Sequence, residues 1–111
     1  MNLKIEQKND ITIIYVNEER LDAHNSGDLK IEVNRFFGEG RKNVLVDLND
    51  VRFIDSSGLG ALVSGFKNAI TNQGSLKLSS LQPQVKSMFE LTRLHRVFEI
   101  FPSPSDALEN F

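Results

Sequence analysis

The stretch VRFIDSSGLGALV, residues 51–63, connects a short strand-like run to a helix-like run. The helix-like run and its continuation place apolar residues on one helical face: Leu59, Leu62, Val63, Phe66, Ala69 and Ile70. At the junction, Asp55 or Ser56 is expected to cap the helix, because a side-chain oxygen there can accept a first-turn N–H. A strand that leads directly into a helix is the repeating unit of an α/β domain. The junction therefore predicts that class of fold.

Upstream of the junction, the sequence predicts a hairpin and then a helix. Apolar and polar residues alternate over residues 3–7, residues 9–10 are a turn-forming Asn-Asp pair, and residues 11–16 are rich in β-branched side chains. Asn25 is expected to cap the helix that follows. That helix carries an apolar stripe consisting of Leu29, Val33, Phe36 and Phe37.

Strands and helices alternate through the rest of the chain. Further strands are predicted at residues 43–48, 53–54, 75–81 and 97–101. Pro83 suits a first helical position, and Ser103 followed by Pro104 marks the start of a last helix. We therefore expect one α/β domain over residues 1–111, with a mixed, mostly parallel sheet, an N-terminal hairpin and about four helices.

Composition excludes several classes of function. The 111 residues include no cysteine, so disulfides and thiolate chemistry are absent. A net charge of −2 gives no basic surface for nucleic acid, and no apolar run approaches the about 20 residues needed to cross a bilayer. We expect a cytoplasmic protein with neither nucleic acid nor membrane as a partner.

Enzymatic alternatives find little support in the sequence. The residues from Ser56 to Gly60 offer N–H groups to an anion, yet they lack the lysine of a phosphate-binding loop. A serine hydrolase needs a base beside its nucleophile, but only His24 and His95 are available and no G-x-S-x-G turn is present. Two isolated histidines also lack the spacing of metal ligands. We expect no enzyme activity, no cofactor and no metal.

A stripe of small or polar residues follows Ser57 along the helix. At helical spacing it comprises Gly60, Ala61, Ser64, Gly65 and Asn68. Each glycine costs about 1 kcal/mol of helix propensity relative to alanine, so the small residues at these positions require an explanation. One reason is a partner that docks closely on this face. The other is close packing of the helix against its own domain.

These residues resemble the STAS domains of bacterial anti-sigma factor antagonists. The resemblance is carried by IDSSGLGALV after NVLVDLNDVRF, by the Leu21-Asp22 step, and by VKSMFELTRLHRVFEIF near the end of the chain. It extends over nearly the whole sequence. In one departure, Glu19 stands where the family often has a glycine.

The resemblance implies a partner-switching mechanism. The unmodified protein would bind an anti-sigma factor that is also a serine kinase of the histidine-kinase-like ATPase type, and so release a sigma factor. Phosphorylation of Ser57, the second serine of the pair, would switch this binding off. A metal-dependent serine phosphatase would restore it. The chain would be substrate and ligand rather than catalyst.

The resemblance and the stripe together predict a partner-binding surface. Its members are Asp22, Asp55, Ser56, Gly58, Gly60, Ala61, Ser64 and Gly65. The resemblance places Asp22 near the phosphorylation site, whereas His24 matches no motif position. One alternative is a STAS module that acts as a scaffold or sensor in another signalling or transport complex without being phosphorylated. Another is nucleotide binding or slow hydrolysis by the domain itself.

Overall fold

A computed structural model describes residues 1–111. The strands are β1 (Leu3–Lys8), β2 (Ile11–Val16), β3 (Arg20–Leu21), β4 (Asn43–Asp47), β5 (Phe53–Ile54), β6 (Ser75–Ser79) and β7 (Ile100–Phe101). The helices are α1 (Ser26–Gly38), α2 (Ser56–Thr71), α3 (Pro83–Leu91) and α4 (Pro104–Leu108), with a 3-10 turn at Leu94–Arg96. None of the helices has the length and hydropathy to span a membrane.

Five strands form one sheet in the order β1-β2-β4-β6-β7. β1 and β2 are the antiparallel hairpin, and every other neighbouring pair in this sheet is parallel. The short strands β3 and β5 form a separate parallel pair. The predicted mixed, mostly parallel sheet with an N-terminal hairpin and four helices is confirmed.

The sheet is covered on both faces. A main core of 20 buried residues joins one face to the apolar sides of α1, α2 and α3, and includes Val33, Leu62 and Phe89. A smaller cluster of four residues joins the other face to α4 through Ala107. All three larger helices therefore lie on one side of the sheet. The N-terminus of α2 lies at the carboxyl ends of the parallel strands, which is where binding sites are commonly found in open α/β sheets.

Three local predictions were wrong. The last strand is limited to Ile100–Phe101, because the chain makes a 3-10 turn first and Phe98 turns into the core against Phe66. Ile70 does not pack on the core face, since it is 61% exposed at the end of α2. Asn25 precedes α1 but makes no capping bond, because its side-chain amide is engaged by the preceding loop.

Candidate functional site

The start of α2 is fixed by Asp55. Its Oδ1 accepts a hydrogen bond from the backbone N–H of Gly58 at 3.0 Å, and its extended backbone is that of an N-cap. The Asp55 N–H in turn donates to the carbonyl of Leu21 at 3.3 Å. The prediction that Asp55 or Ser56 caps the helix is confirmed for Asp55, which leaves both serines free of that task.

The parallel pairing of β3 and β5 brings two acidic residues to one edge. Arg20 pairs with Phe53 and Leu21 with Ile54, so the two strands end side by side. Asp22 follows β3 directly, just as Asp55 follows β5 directly. The loop from β3 to α1 and the first turn of α2 are therefore neighbours, and Asp22 lies in the same region as the serine pair.

The loop that carries Asp22 is held by internal hydrogen bonds. Asn25 accepts from the Asp22 N–H at 2.9 Å and donates to the Arg20 carbonyl at 2.7 Å. The Asp22 carboxylate accepts from the His24 N–H at 3.0 Å and lies 3.4 Å from the Arg20 guanidinium. Its side chain is only 14% exposed. Asp22 therefore has a fixed position rather than a free surface orientation.

Ser56 and Ser57 are both exposed at the start of α2. No hydroxyl hydrogen bond joins either side chain to the rest of the chain. As first-turn residues they also have N–H groups without an intrahelical acceptor, and the positive end of the helix dipole favours negative charge there. The arrangement can accept a covalently attached phosphate without the loss of an existing bond.

Three members of the predicted partner surface lie inside the domain instead. A Cβ on Gly58 would come within 2.4 Å of the Leu21 carbonyl oxygen, and one on Gly65 within 3.0 Å of a Val33 methyl. Ala61 is only 6% exposed. The two glycines are small because α2 packs closely on β3 at Gly58, and on α1 and Leu76 of β6 at Gly65. The predicted exposure of all three residues to a partner is therefore corrected to internal packing.

Gly60 and Ser64 remain accessible. Gly60 is exposed, and nothing lies within 4 Å of the position that a Cβ would take. Ser64 is partly exposed, whereas Asn68, further along the same row, donates a hydrogen bond to Asn34 of α1 at 2.8 Å. The accessible part of the stripe is thus confined to its beginning, next to Ser57.

A groove on the other side of the serine pair was not predicted. It lies between β5, the start of α2 and α3, has a volume of about 710 Å³, and is lined by residues that include Glu19, Arg52, Phe53, Ile54, Ser56 and Met88. We call it the Phe53 groove. An exposed apolar residue at this strand could have been predicted from the sequence. Side chains alternate along a strand, so only one residue of the Phe53–Ile54 pair can face the core.

Comparison with known proteins identifies the family. The family model of the STAS domain matches residues 2–107, so the chain belongs to the STAS domain family. It is 30% identical over 103 residues to the anti-sigma-B factor antagonist of Bacillus subtilis, and the match covers 90% of this chain and 92% of that protein.

Solved structures agree with this assignment. The crystal structure of a Thermotoga maritima protein, 30% identical, superimposes with a TM-score of 0.91 over 96% of this chain and 92% of that one. The anti-sigma factor antagonist SpoIIAA shares the fold at 15% identity in its unphosphorylated form, with a TM-score of 0.75 over 99% of this chain and all of that one. Its phosphorylated form, from Bacillus, gives 16% identity and a TM-score of 0.76 over 97% of both chains.

Proposed function

We propose that this protein is an anti-sigma factor antagonist of the cytoplasm that is switched by phosphorylation of Ser57. In its unmodified form it binds an anti-sigma factor with serine kinase activity, of the histidine-kinase-like ATPase type, and so frees a sigma factor. That kinase phosphorylates Ser57 and the complex dissociates. A metal-dependent serine phosphatase returns the protein to its binding form.

The observation that carries this proposal is the state of Ser57. Its side chain is exposed at a helix N-terminus and its hydroxyl makes no hydrogen bond within the chain. Asp55, not Ser57, caps the helix. Membership of the family supports it, because the related Bacillus subtilis protein is named an anti-sigma-B factor antagonist. The choice of Ser57 over Ser56 rests on the family resemblance of the D-S-S-G-L-G motif.

A phosphate on Ser57 acts on the partner rather than on the fold. It adds a charge of about −1.5 to −2 together with three acceptor oxygens, at a point where helix N–H groups tolerate an anion. A partner packed over Gly60 would meet the bulk of the phosphate and would have to desolvate a dianion. A loss of about 3 kcal/mol lowers affinity by roughly a hundredfold, which is enough for a switch.

Capture of partners from the cell of origin tests the proposal. The baits are the wild type, Ser57→Ala, Ser57→Asp and, as the matched control, Ser56→Ala, with identification by mass spectrometry. We expect the wild type and both alanine variants to retain a histidine-kinase-like ATPase and the aspartate variant to lose it. Equal capture by all four baits would show that Ser57 is not the switch.

The same experiment addresses the scaffold or sensor alternative. A module that is not phosphorylated would bind its partners independently of position 57. Incubation of the captured ATPase with ATP and the purified protein supplies a second readout. We expect one phosphate to be incorporated into the wild type and Ser56→Ala, and none into Ser57→Ala.

A further inference from the structure

We propose that the Phe53 groove binds a partner segment in which an apolar side chain is followed closely by a lysine or arginine. The identity of the partner as the anti-sigma factor rests on the function proposed above. The chemistry of the segment follows from the groove itself. The occupant is thus a basic and apolar stretch of the partner protein.

The apolar side of the groove is formed by three residues. Phe53 is 42% exposed although it belongs to a strand, Ile54 lies beneath it in the core, and Met88 of α3 is partly buried. The guanidinium of Arg20 lies 4.1 Å from the centre of the Phe53 ring. This cation–π contact holds the ring in place, so the groove presents a fixed aromatic surface with a pliable methionine opposite.

The charged side of the groove is acidic. Glu19 and Asp55 line it together with Arg52, and none of the three forms an ion pair within the chain. Beyond Arg52 the surface continues with Glu18 and Asp50. Four carboxylates thus lie near the guanidinium of Arg52, whereas the guanidinium over the Phe53 ring, that of Arg20, is already paired with Asp22. A basic side chain that leaves the apolar contact would find acidic partners at the rim of the groove.

The groove and Ser57 act on different parts of the partner. Ser56 lines the groove, which lies toward α3. Ser57 begins the helical row that is open at Gly60 and contacts α1 further along, at Gly65 and Asn68. Attraction of a basic segment in the groove is therefore compatible with repulsion at Ser57. The groove supplies affinity and partner choice, while Ser57 supplies the switch.

Titration of the ¹⁵N-labelled protein with short peptides tests the groove directly. The probe is Ac-Arg-Leu-Leu-Arg-NH₂, and the controls are its charge-reversed form Ac-Glu-Leu-Leu-Glu-NH₂ and its apolar-deleted form Ac-Arg-Gly-Gly-Arg-NH₂. At millimolar concentration we expect the probe to shift the amides of Phe53, Ile54, Ser56 and Met88, and neither control to do so. Absence of shifts with the probe, or equal shifts with the charge-reversed peptide, would overturn the proposal.

Matched variants locate the binding. Met88→Lys and Glu19→Lys should each lower the affinity for the probe peptide by at least about fivefold. Leu91→Lys, on the same helix but at a position that is 79% exposed and outside the groove, should leave it unchanged. Loss of probe binding in Leu91→Lys as well would place the contact elsewhere on α3.

The experiments distinguish failure of the Ser57 switch from failure of the Phe53 groove proposal. If partner capture is indifferent to Ser57 but the probe binds as expected, only the phosphorylation switch is wrong. If the switch works and the probe does not bind, only the groove is wrong. Where the ATPase is captured, Met88→Lys should lower its retention and Leu91→Lys should not.

Discussion

Two glycines of α2, two residues apart, should respond in opposite directions to the same substitution. Alanine has an advantage of about 1 kcal/mol over glycine within a helix. At Gly60, where no atom lies within 4 Å of the position that a Cβ would take, Gly60→Ala should realise this gain and raise the free energy of unfolding by up to about 1 kcal/mol. Gly58→Ala should lower it.

The cost at Gly58 follows from what its Cβ would meet. The new carbon would lie 2.4 Å from the Leu21 carbonyl oxygen and 2.7 Å from Cγ1 of Ile54. The oxygen belongs to the backbone of β3 and already accepts the Asp55 N–H, so it cannot move without disturbing the helix cap. Overpacking of this kind costs about 1–3 kcal/mol, and a backbone obstacle favours the upper end. We expect a net loss of about 2 kcal/mol after the helix gain.

Urea unfolding followed by circular dichroism measures both variants against the wild type. With a slope of about 2 kcal/mol per molar urea, the midpoints of the two variants should differ by roughly 1.5 M. The pair is its own control, because both variants add one methyl group to the first turns of one helix. Equal destabilisation by the two substitutions, or a Gly58→Ala variant as stable as the wild type, would refute the reasoning. It would show that packing within the domain does not require glycine at position 58 any more than at position 60.

Other features of the fold give further predictions. Asp55→Ala should cost about 0.5–2 kcal/mol through loss of the cap, whereas Ser56→Ala, which removes no hydrogen bond, should be neutral in the same unfolding assay. Ser79→Ala should cost about 1–3 kcal/mol in chemical denaturation, because the buried carboxylate of Asp47 loses the hydroxyl that donates to it at 2.7 Å. Burial and a neighbouring glutamate raise the pKa of Tyr15 from 10.0 to about 12, so ultraviolet absorbance should show a tyrosine titrating near that value, absent in Tyr15→Phe. Because the folded pKa is the higher one, the contribution of Tyr15 to stability is full below about pH 10 and is lost as the pH rises toward 12.

Local chemistry made much of the fold predictable from the sequence. The hairpin, the alternation of strands and helices and the caps at Asp55 and Ser103 depend on neighbours within a few residues, and each is present. The strand β3 was not predicted, because a two-residue strand exists only through its pairing with β5. Asn25 failed as a cap for a similar reason, since its amide is engaged by Asp22 and Arg20 once the loop has formed.

The candidate site was only partly predictable. Helical periodicity groups Gly60, Ala61, Ser64 and Gly65 on one row, but it does not tell which neighbour that row meets. The structure divides the row, because Ala61 and Gly65 are buried within the domain while Gly60 is open. The proximity of Asp22 to the serine pair came from the family resemblance and has a structural basis in the β3–β5 pairing.

The division of labour at the start of α2 explains how a modification there could change binding without changing the fold. If Ser57 capped the helix, its phosphorylation would break the cap and couple the switch to unfolding. Asp55 provides the cap instead, and Gly58 allows β3 to approach and fix the acidic loop beside it. Ser57 has no hydrogen bond within the chain to lose. A phosphate on it would therefore lower the binding free energy of a partner packed against Gly60 and would leave the stability of the fold unchanged. Near-identical amide spectra of the modified and unmodified protein away from Ser57 are therefore expected, and widespread shifts would contradict a switch of this kind.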